Sequence, residues 1–313
     1  MQSVFITGLG GFIGTALAER LLSQKIRVAG IAKERNYKFR HDILERCSIV
    51  YGDLADYDLV RDAVARYEVD TIFHIGAIAV LRVATLDPLG CFSSNITGTA
   101  NILEAARQCK VPRVLFFSTD KAYGTQPILP YTEDMPVKAS SDPYSTSKAC
   151  ADLIAQSYYL SYGTNVSITR SGNIYGPGDF NLSRLIPGNI VKGLKNISMR
   201  TYTGVASDKR EYMFIDDVLD AVLTVVESGG PGEIYNIGGS GWARVDDVLG
   251  QIAELTGSTV RVLQEQRDFI EIKEQYLDPA KLNRLGWKCK HNLREGLIKT
   301  IPWYEMEVGK GTL

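Results

Sequence analysis

The sequence predicts an α/β fold, namely a Rossmann-type doubly wound parallel sheet with a smaller C-terminal α/β lobe. Three observations lead to this prediction. Short apolar runs rich in β-branched residues alternate with stretches of helical periodicity through the first half of the chain. A glycine-rich turn and a helix follow the first of these runs at once. The runs are apolar along their whole length, which is typical of parallel strands buried on both faces.

The predicted elements follow in a regular order. Strands are expected over 3–7, 27–32, 47–53, 71–77, 114–118 and 165–171. Helices are expected over about 12–23, 56–67 and 142–162, and a further helix ends near residue 108. The rhythm changes after Asn173, where glycine and proline concentrate in GNIYGPGD (172–179). We therefore predict a first domain over 1–172, to which 212–238 returns, and a second lobe over 173–313.

Composition and charge exclude several classes of function. The 313 residues are 45% hydrophobic and carry 35 basic and 36 acidic side chains, so the formal net charge is -1. This balance gives no basic patch for nucleic acid or an anionic membrane. The five cysteines lack Cys-x-x-Cys spacing, which predicts thiols in a reducing compartment and no metal site. With no charged leader and no long apolar run, we expect a soluble cytoplasmic protein.

The glycine turn predicts a dinucleotide site. TGLGGFIG (7–14) follows the first strand and opens the first helix, with Gly8, Gly11 and Gly14 three residues apart. Glycines allow a tight turn and let backbone N–H groups approach a pyrophosphate, which the positive end of the helix dipole attracts. The alternative is an ordinary strand–helix connection, but the position at the first strand–helix junction favours the dinucleotide.

The end of the second strand bears on which dinucleotide is bound. Ala32 stands where a carboxylate would bind the ribose hydroxyls of NAD, and Lys33 and Arg35 follow closely. Cations suit a 2′-phosphate, so the pattern favours NADP over NAD, although Glu34 could still serve NAD. Asp53, in YGDL at the end of the third strand, is a candidate contact to the adenine. A helix cap is the alternative interpretation of Asp53.

Two short segments carry acid–base groups. DPYSTSK (142–148) begins the longest predicted helix, with Asp142 as cap and Pro143 in the first turn. Tyr144 and Lys148 are four residues apart and share a helical face, so we expect the ammonium to lower the pKa of the phenol. Such a tyrosine can exchange a proton with a hydroxyl group while hydride leaves the same carbon. The second segment is FFSTDKAYG (116–124), where an acid and a base follow a buried strand.

These motifs together resemble a known family. TGLGGFIG, STDKAYG, YSTSK and RSGNIYGPGD are similar to the motifs of extended short-chain dehydrogenases/reductases, and more narrowly of nucleotide-sugar epimerases and dehydratases. The Thr-Asp-Lys sequence resembles CDP-glucose-type 4,6-dehydratases. The resemblance implies three sets of site residues: catalytic Thr119, Asp120, Lys121, Tyr144 and Lys148; cofactor-binding Gly8, Gly11, Phe12, Ile13, Gly14, Lys33, Arg35, Asp53, Leu54, Tyr144 and Lys148; and substrate-binding Asn173, Arg184, Arg200 and Arg210.

The resemblance implies a nucleotide-sugar 4,6-dehydratase with a tightly bound nicotinamide cofactor. In such an enzyme Tyr144 takes the O4 proton as hydride leaves C4, Lys121 takes the C5 proton and Asp120 protonates the departing C6 hydroxyl. Whether Asp120 can act as an acid and Lys121 as a base stays open. Neighbouring opposite charges favour the ionised forms of both residues, whereas burial favours the neutral forms. The alternative interpretation is a plain ion pair of these two residues.

Other functions and partners remain open alternatives. A 4-epimerase would need Thr119, Tyr144 and Lys148 without the acid–base pair, and an NADPH-dependent 4-keto sugar reductase would suit Lys33 and Arg35. An idle dinucleotide-binding module is a third alternative. The expected ligand is a nucleotide-diphosphate sugar. The family resemblance also implies a homodimer built by the helices near 95–108 and 142–162, although core packing explains their apolar faces equally well.

Overall fold

The computed structural model describes residues 1–33, 40–258, 262–265 and 272–313. The strands are β1 (Ser3–Thr7), β2 (Arg27–Ala32), β3 (Ser48–Tyr51), β4 (Thr71–His74), β5 (Arg113–Thr119), β6 (Val166–Ser171), β7 (Asn173–Tyr175), β8 (Met199–Tyr202), β9 (Lys209–Phe214), β10 (Ile234–Ile237), β11 (Trp242–Arg244), β12 (Val262–Glu265) and β13 (Glu274–Gln275).

The helices are α1 (Phe12–Ser23), α2 (His41–Leu44), α3 (Tyr57–Tyr67), α4 (Leu81–Leu86), α5 (Pro88–Phe92), α6 (Gly98–Gln108), α7 (Pro143–Tyr162), α8 (Leu185–Leu194), α9 (Ile215–Ser228), α10 (Val245–Thr256), α11 (Ala280–Asn283) and α12 (Leu293–Gly309). A π-helical turn (Ser93–Thr97) joins α5 to α6, and a 3₁₀ turn (Asp120–Tyr123) follows β5.

The centre of the fold is a seven-stranded parallel sheet, which confirms the predicted fold class. The strand order is β10-β6-β5-β4-β1-β2-β3. Its strands are buried because helices cover both faces, as parallel sheets require. One core packs apolar residues of α1 and α9 against the sheet, and the other packs those of α3, α6 and α7 against the opposite face. The alternation of strands and helices in the sequence thus gives a three-layer domain.

The predicted strand over 71–77 ends early, at His74. Thr7 causes this end because its Oγ1 accepts hydrogen bonds from Ile75 N (3.0 Å) and Gly76 N (2.8 Å). These bonds direct the backbone after β4 toward the end of β1. The helix predicted to end near residue 108 is also more complex, since α5, the π turn and α6 follow one another.

The residues after β6 build smaller sheets. β9 pairs with β7, β11 and β13, and β8 pairs with β12. The helices α8, α10 and α12 pack against one another beside them. The chain also returns to the large sheet, because β10 pairs in parallel with β6 and α9 contacts β5 and β6. The division into domains at residue 172 stays a prediction.

Two general features bear on the class of function. Across the described part of the chain, no helix is both long and apolar enough to cross a membrane. Within the same residues, histidine, cysteine and carboxylate side chains form no cluster of three or more that could hold a metal ion. The five cysteines are free thiols.

Candidate active site

The predicted site residues of the first domain gather at the carboxyl ends of the central strands. Gly8 follows β1, Thr119 ends β5 and the 3₁₀ turn with Asp120 comes next. The chain connects β1 to β2 on one side of the sheet and β4 to β5 on the other, so the strand order reverses between β1 and β4. Such a reversal opens the crevice in which α/β proteins bind ligands.

The glycine turn forms a cradle beside the first helix. Gly8 has φ +68°, and a Cβ atom there would lie 2.7 Å from Gly76 Cα. A Cβ atom on Gly14 would lie 2.2 Å from Gly8 O, whereas one on Gly11 would lie 3.2 Å from the same oxygen. Within the described residues, α1 has no side-chain cap and no acid in its first turn. Its N–H groups therefore suit a pyrophosphate, with Phe12 and Ile13 at the first positions of the helix.

A buried histidine, given no role by the sequence, fixes the backbone at this cradle. His74 Nδ1 lies 2.8 Å from Thr7 Oγ1 and Nε2 lies 2.9 Å from Thr99 Oγ1. Thr99 donates its own proton to Asn95 O (2.6 Å), so it accepts from Nε2–H, and Thr7 donates to Nδ1. Burial, with a smaller effect of the Lys148 charge, lowers the pKa of His74 to about 3. The neutral ring thus holds Thr7, which in turn holds the chain near Gly76.

Two of the candidate adenosine contacts pair with each other. Lys33 Nζ lies 2.9 Å from Asp53 Oδ2, and Asp53 Oδ1 accepts a hydrogen bond from Ala55 N (3.0 Å). That backbone bond and then Lys33 lower the pKa of Asp53. Leu54 is buried, and a Cβ atom on Gly98 would lie 2.8 Å from Leu54 Cβ. Arg35 lies outside the described residues.

The helix α7 carries Tyr144 and Lys148 from a capped end. As predicted, Pro143 occupies the first turn and Asp142 accepts a hydrogen bond from Ser145 N (2.7 Å). Lys148 Nζ donates to Phe117 O (2.8 Å) and lies 4.5 Å from the ring centroid of Phe116. Burial lowers the pKa of Lys148 to about 8.

The expected effect of Lys148 on Tyr144 is wrong for this structure. Burial raises the pKa of the Tyr144 phenol to about 12, and the groups that act to lower it are the Thr119 hydroxyl and Arg184. The lysine ammonium instead interacts with the carbonyl oxygen of Phe117. Desolvation of the phenolate outweighs the opposing effects of Thr119 and Arg184 here.

The acid–base pair begins a turn immediately after Thr119. Thr119 Oγ1 donates to Asp120 Oδ1 (3.0 Å) and accepts from Lys121 N (3.4 Å). Asp120 is only 3% exposed, and burial raises the pKa of its carboxyl group despite the opposing charge of Lys121. The question left open by the sequence is thus answered for Asp120. Its surroundings favour the protonated form, which is the form of a proton donor.

The predicted substrate residues lie in different surroundings. Asn173 Nδ2 donates to Glu211 O (3.2 Å). The three arginines each contact a carboxylate: Arg184 with Asp179 at 2.9 Å, Arg200 with Glu265 at 2.7 Å and Arg210 with Asp208 at 3.4 Å. The charge of Arg184 acts on Tyr144 and that of Arg210 acts on Asp120, so both approach the catalytic candidates. Arg200 is more than half exposed on β8.

Further polar residues of the site were missed by sequence reasoning. Asn95, in the π turn, donates to Ser147 Oγ (2.8 Å) and accepts from Ile78 N (2.8 Å). Glu211 is 2% exposed and accepts from Gly239 N (2.5 Å) and Leu277 N (3.1 Å). Asn95 lies in the helix predicted near 95–108, but no role was predicted for it. Nothing in the sequence indicated a role for Glu211.

Comparison with known proteins agrees with this geometry. Residues 4–238 match the model of the NAD dependent epimerase/dehydratase family. The chain belongs to this family, which confirms the resemblance read from its motifs.

One relative contains a dehydratase as part of a longer protein. A trifunctional UDP-glucose 4,6-dehydratase/UDP-4-keto-6-deoxy-D-glucose 3,5-epimerase/UDP-4-keto-L-rhamnose-reductase of Arabidopsis thaliana is 33% identical over 331 residues. That alignment covers 97% of this chain and 47% of the relative, so the chain spans about half the length of that protein.

Two crystal structures have similar folds. A dTDP-glucose 4,6-dehydratase from Streptomyces venezuelae with NAD bound has a TM-score of 0.89 and 29% identity, covering 99% of this chain and 98% of the other. A UDP-glucose 4-epimerase from Thermus thermophilus in complex with NAD has a TM-score of 0.86 and 28% identity, covering 97% and 99%.

Proposed function

We propose that this protein is a nucleotide-sugar 4,6-dehydratase, which converts a nucleotide-diphosphate hexose into the 4-keto-6-deoxy sugar by internal hydride transfer from C4 to C6. The observation that carries the proposal is the buried Asp120, with Lys121 beside it, directly after Thr119 at the end of β5. The dehydratases of A. thaliana and S. venezuelae among the similar proteins support it.

The described residues fit a nicotinamide dinucleotide. The glycine turn and the amides of α1 suit its pyrophosphate, and Lys148 is bonded to Phe117 O near the carboxyl end of β5. Two buried hydroxyl groups at the ends of β5 and β6, Ser118 Oγ and Ser171 Oγ, have no hydrogen-bond partner among the described residues. A buried hydroxyl with no partner in the protein needs one from elsewhere, such as a bound ligand or an ordered water. A nicotinamide cofactor held by these residues would supply the acceptor and donor of hydride that the reaction needs.

Tyr144 acts on the O4 hydroxyl with Thr119. The phenolate form accepts the O4 proton as C4 is oxidised, and the Thr119 hydroxyl orients the same oxygen. Burial disfavours that phenolate, while the Thr119 hydroxyl and Arg184 favour it. A further positive charge near the phenol, such as that of an oxidised nicotinamide, would act in the same direction as Arg184. Activity should therefore rise with pH as the Tyr144 phenol loses its proton.

Lys121 and Asp120 carry out the elimination. The ketone at C4 acidifies the C5 proton, which Lys121 removes as the base. The electrons of that C–H bond form the C5–C6 double bond as the C6–O bond breaks, and Asp120 donates its proton so that water leaves. Lys121 then returns a proton to C5 when C6 becomes saturated. The acid form of Asp120 is lost as pH rises above its raised pKa, which limits activity on the alkaline side.

A nucleotide-sugar 4-epimerase is the second candidate. It is favoured by the similar fold of the T. thermophilus epimerase, and it would use Thr119, Tyr144 and Lys148 alone. The two functions make different use of Asp120 and Lys121, because an epimerase has no hydroxyl group to expel.

The deciding experiment uses purified protein and nucleotide-activated glucose, mannose and N-acetylglucosamine, with no added reductant. A product lighter by one water supports the dehydratase. An isomer of unchanged mass would replace the proposal by an epimerase, and turnover only after addition of NADPH would replace it by a 4-keto sugar reductase.

The choice between NADP and NAD is a finer part of the proposal. The prediction of NADP rests on Ala32, Lys33 and Arg35, yet a 2′-phosphate would compete with Asp53 for Lys33. We expect tighter binding of NADP⁺ than of NAD⁺, and Asp53→Asn should raise the affinity for NADP⁺ up to about fivefold, as expected of an exposed ion pair. Titration of the wild type and of Asp53→Asn with each cofactor measures these affinities. Tighter binding of NAD⁺ than of NADP⁺ to the wild type would overturn the preference for NADP.

The proposal also includes a cytoplasmic homodimer. Leu153 and Leu160 lie seven residues apart on α7 and are 53% and 79% exposed, which suits burial against a second copy. The size of the protein in solution, measured by light scattering for the wild type and for Leu160→Asp, checks this. A wild-type monomer would contradict the dimer without affecting the reaction.

A further inference from the structure

A buried ion pair lies behind the candidate catalytic residues. Arg170, on β6, donates from Nε to Asp152 Oδ2 (2.9 Å) and from Nη2 to Asp152 Oδ1 (2.7 Å). The arginine is 1% exposed and the aspartate, on α7, is fully buried. Two charges removed from water in this way gain little net stability over apolar side chains of the same size. A role in holding geometry explains their presence better than stability does.

One end of this pair contacts the turn that carries Asp120 and Lys121. The guanidinium carbon of Arg170 lies 4.4 Å from the ring centroid of Tyr123, the last residue of that turn. Tyr123 donates its hydroxyl proton to Asn236 Oδ1 (2.7 Å). The guanidinium, this hydrogen bond and the Tyr131 ring, whose centroid lies 5.4 Å away, together hold the Tyr123 ring at the end of the turn.

The other end belongs to the helix that carries Tyr144 and Lys148. Asp152 follows Lys148 by four residues, as Lys148 follows Tyr144, so the three side chains share one face of α7. Gln156 Nε2 also donates to Asp152 Oδ1 (2.8 Å), which orients the carboxylate. The face of α7 that holds the phenol is therefore tied through Asp152 to β6.

We propose that Arg170 and Asp152 are positioning residues that hold the Asp120–Lys121 turn in register with the Tyr144–Lys148 face of α7. This inference rests on the proposed function, because only a dehydratase needs both groups on one sugar. Tyr144 and Lys148 keep other anchors, namely the capped start of α7 and the bond from Lys148 to Phe117 O. The turn has bonds from Gln275 Nε2 to Asp120 O (2.9 Å) and from Gln126 Nε2 to Tyr123 O (2.5 Å), and Arg170 adds the contact to the ring of its last residue. Loosening the pair should therefore slow elimination and leave oxidation at C4 intact.

The test compares Arg170→Lys with wild type in single turnovers. Oxidation at C4 is followed by the absorbance of reduced nicotinamide, and elimination by the mass of the product. We expect elimination to fall about tenfold to a hundredfold, as for a small misplacement of catalytic groups, with KM and the oxidation rate within about twofold. Reduced cofactor should then accumulate, which it does not do in the wild type.

A second variant guards against loss of folding. Arg170→Met with Asp152→Leu leaves no unpaired buried charge and should fold. Asp152 acts to raise the pKa of Lys148, so its removal can shift the pH dependence of oxidation. Oxidation rates are therefore compared at pH values where each variant's rate no longer changes with pH. Arg294→Met with Glu254→Leu is the control, since that surface pair also makes two hydrogen bonds (2.9 and 2.6 Å), here from Nη1 and Nη2.

The outcomes separate the two claims. Accumulation of reduced cofactor in the Arg170 variants, and not in the control, supports the positioning role. Unchanged elimination in the double variant, or an equal fall of both rates, would overturn it. A wild-type protein that yields no dehydrated product would instead overturn the proposed function.

Discussion

The two halves of the site are prepared for their ligands in different ways. On the cofactor side, the amides of α1 face the crevice with no acid in the first turn among the described residues, and Lys148 is held by a backbone carbonyl. On the substrate side, each predicted substrate-binding arginine already contacts a carboxylate. A dinucleotide would thus enter a preformed cradle, whereas a sugar diphosphate must compete with acids of the protein. Affinity for the substrate therefore depends on an exchange of partners.

The largest expected effect concerns the residue that joins the two halves. Tyr144→Phe removes the proton acceptor for O4 and should lower kcat by about a hundredfold to ten-thousandfold while cofactor binding persists. Steady-state kinetics together with cofactor titration measure this. Tyr162→Phe is the control, since that exposed hydroxyl lies at the far end of the same helix. Retention of more than half of the activity in Tyr144→Phe would show that another group takes the proton.

The next effect tests whether the cofactor cradle is rigid. Gly14→Ala would place a Cβ atom 2.2 Å from Gly8 O, so we expect a loss of about 1–3 kcal/mol in the free energy of unfolding together with weaker cofactor binding. Gly11→Ala, with 3.2 Å to the same oxygen, should cost less than Gly14→Ala in both measurements. Equal urea midpoints and equal cofactor affinities for the two variants would mean that the turn adapts.

A smaller effect concerns a buried carboxyl group of the substrate side. Burial raises the pKa of Glu211 from 4.5 to about 7. Between these values the native state binds a proton that the unfolded state has lost, so the free energy of unfolding should decrease by about 1–3 kcal/mol as pH rises from 4.5 to 7. Glu211→Gln should flatten this dependence. Urea denaturation at several pH values measures both slopes, and identical slopes would contradict the assignment to Glu211.

The smallest effect tests whether protein carboxylates compete with the substrate phosphates for the arginines. Asp179→Asn removes the negative charge that Arg184 contacts, and the freed guanidinium should lower KM for the nucleotide sugar up to about fivefold. Glu265→Gln frees Arg200 in the same way and serves as the comparison. A fall in KM for Glu265→Gln alone would assign the phosphates to Arg200, and unchanged values for both would remove the competition from the account.

The sequence specifies the central sheet well because its signals are local. Buried apolar strands and periodic helices repeat with short connections, and Asp142 with Pro143 marks the start of α7 by its chemistry alone. The early end of β4 could not be predicted, since it depends on Thr7, which is distant in the chain. The π turn likewise depends on Asn95 reaching Ser147 of another helix.

The site could be predicted less completely, for electrostatic reasons. Motif spacing identified Tyr144 and Lys148, but the pKa of the phenol depends on how deeply it is buried. The family resemblance predicted that Arg210 binds the substrate, whereas its bonds to Lys273 O and Asp208 need the folded sheet. The pair of Arg170 and Asp152 had no signal beyond two charged residues in apolar surroundings.

The most direct test of the central claim follows the C5 proton. Wild-type protein and Lys121→Met are incubated in heavy water with the nucleotide hexose that the wild type turns over. We predict one deuterium at C5 of a product lighter by one water for the wild type, and neither change for Lys121→Met although it still binds the cofactor. Full dehydration by Lys121→Met, or a wild-type product without deuterium at C5, would contradict the account.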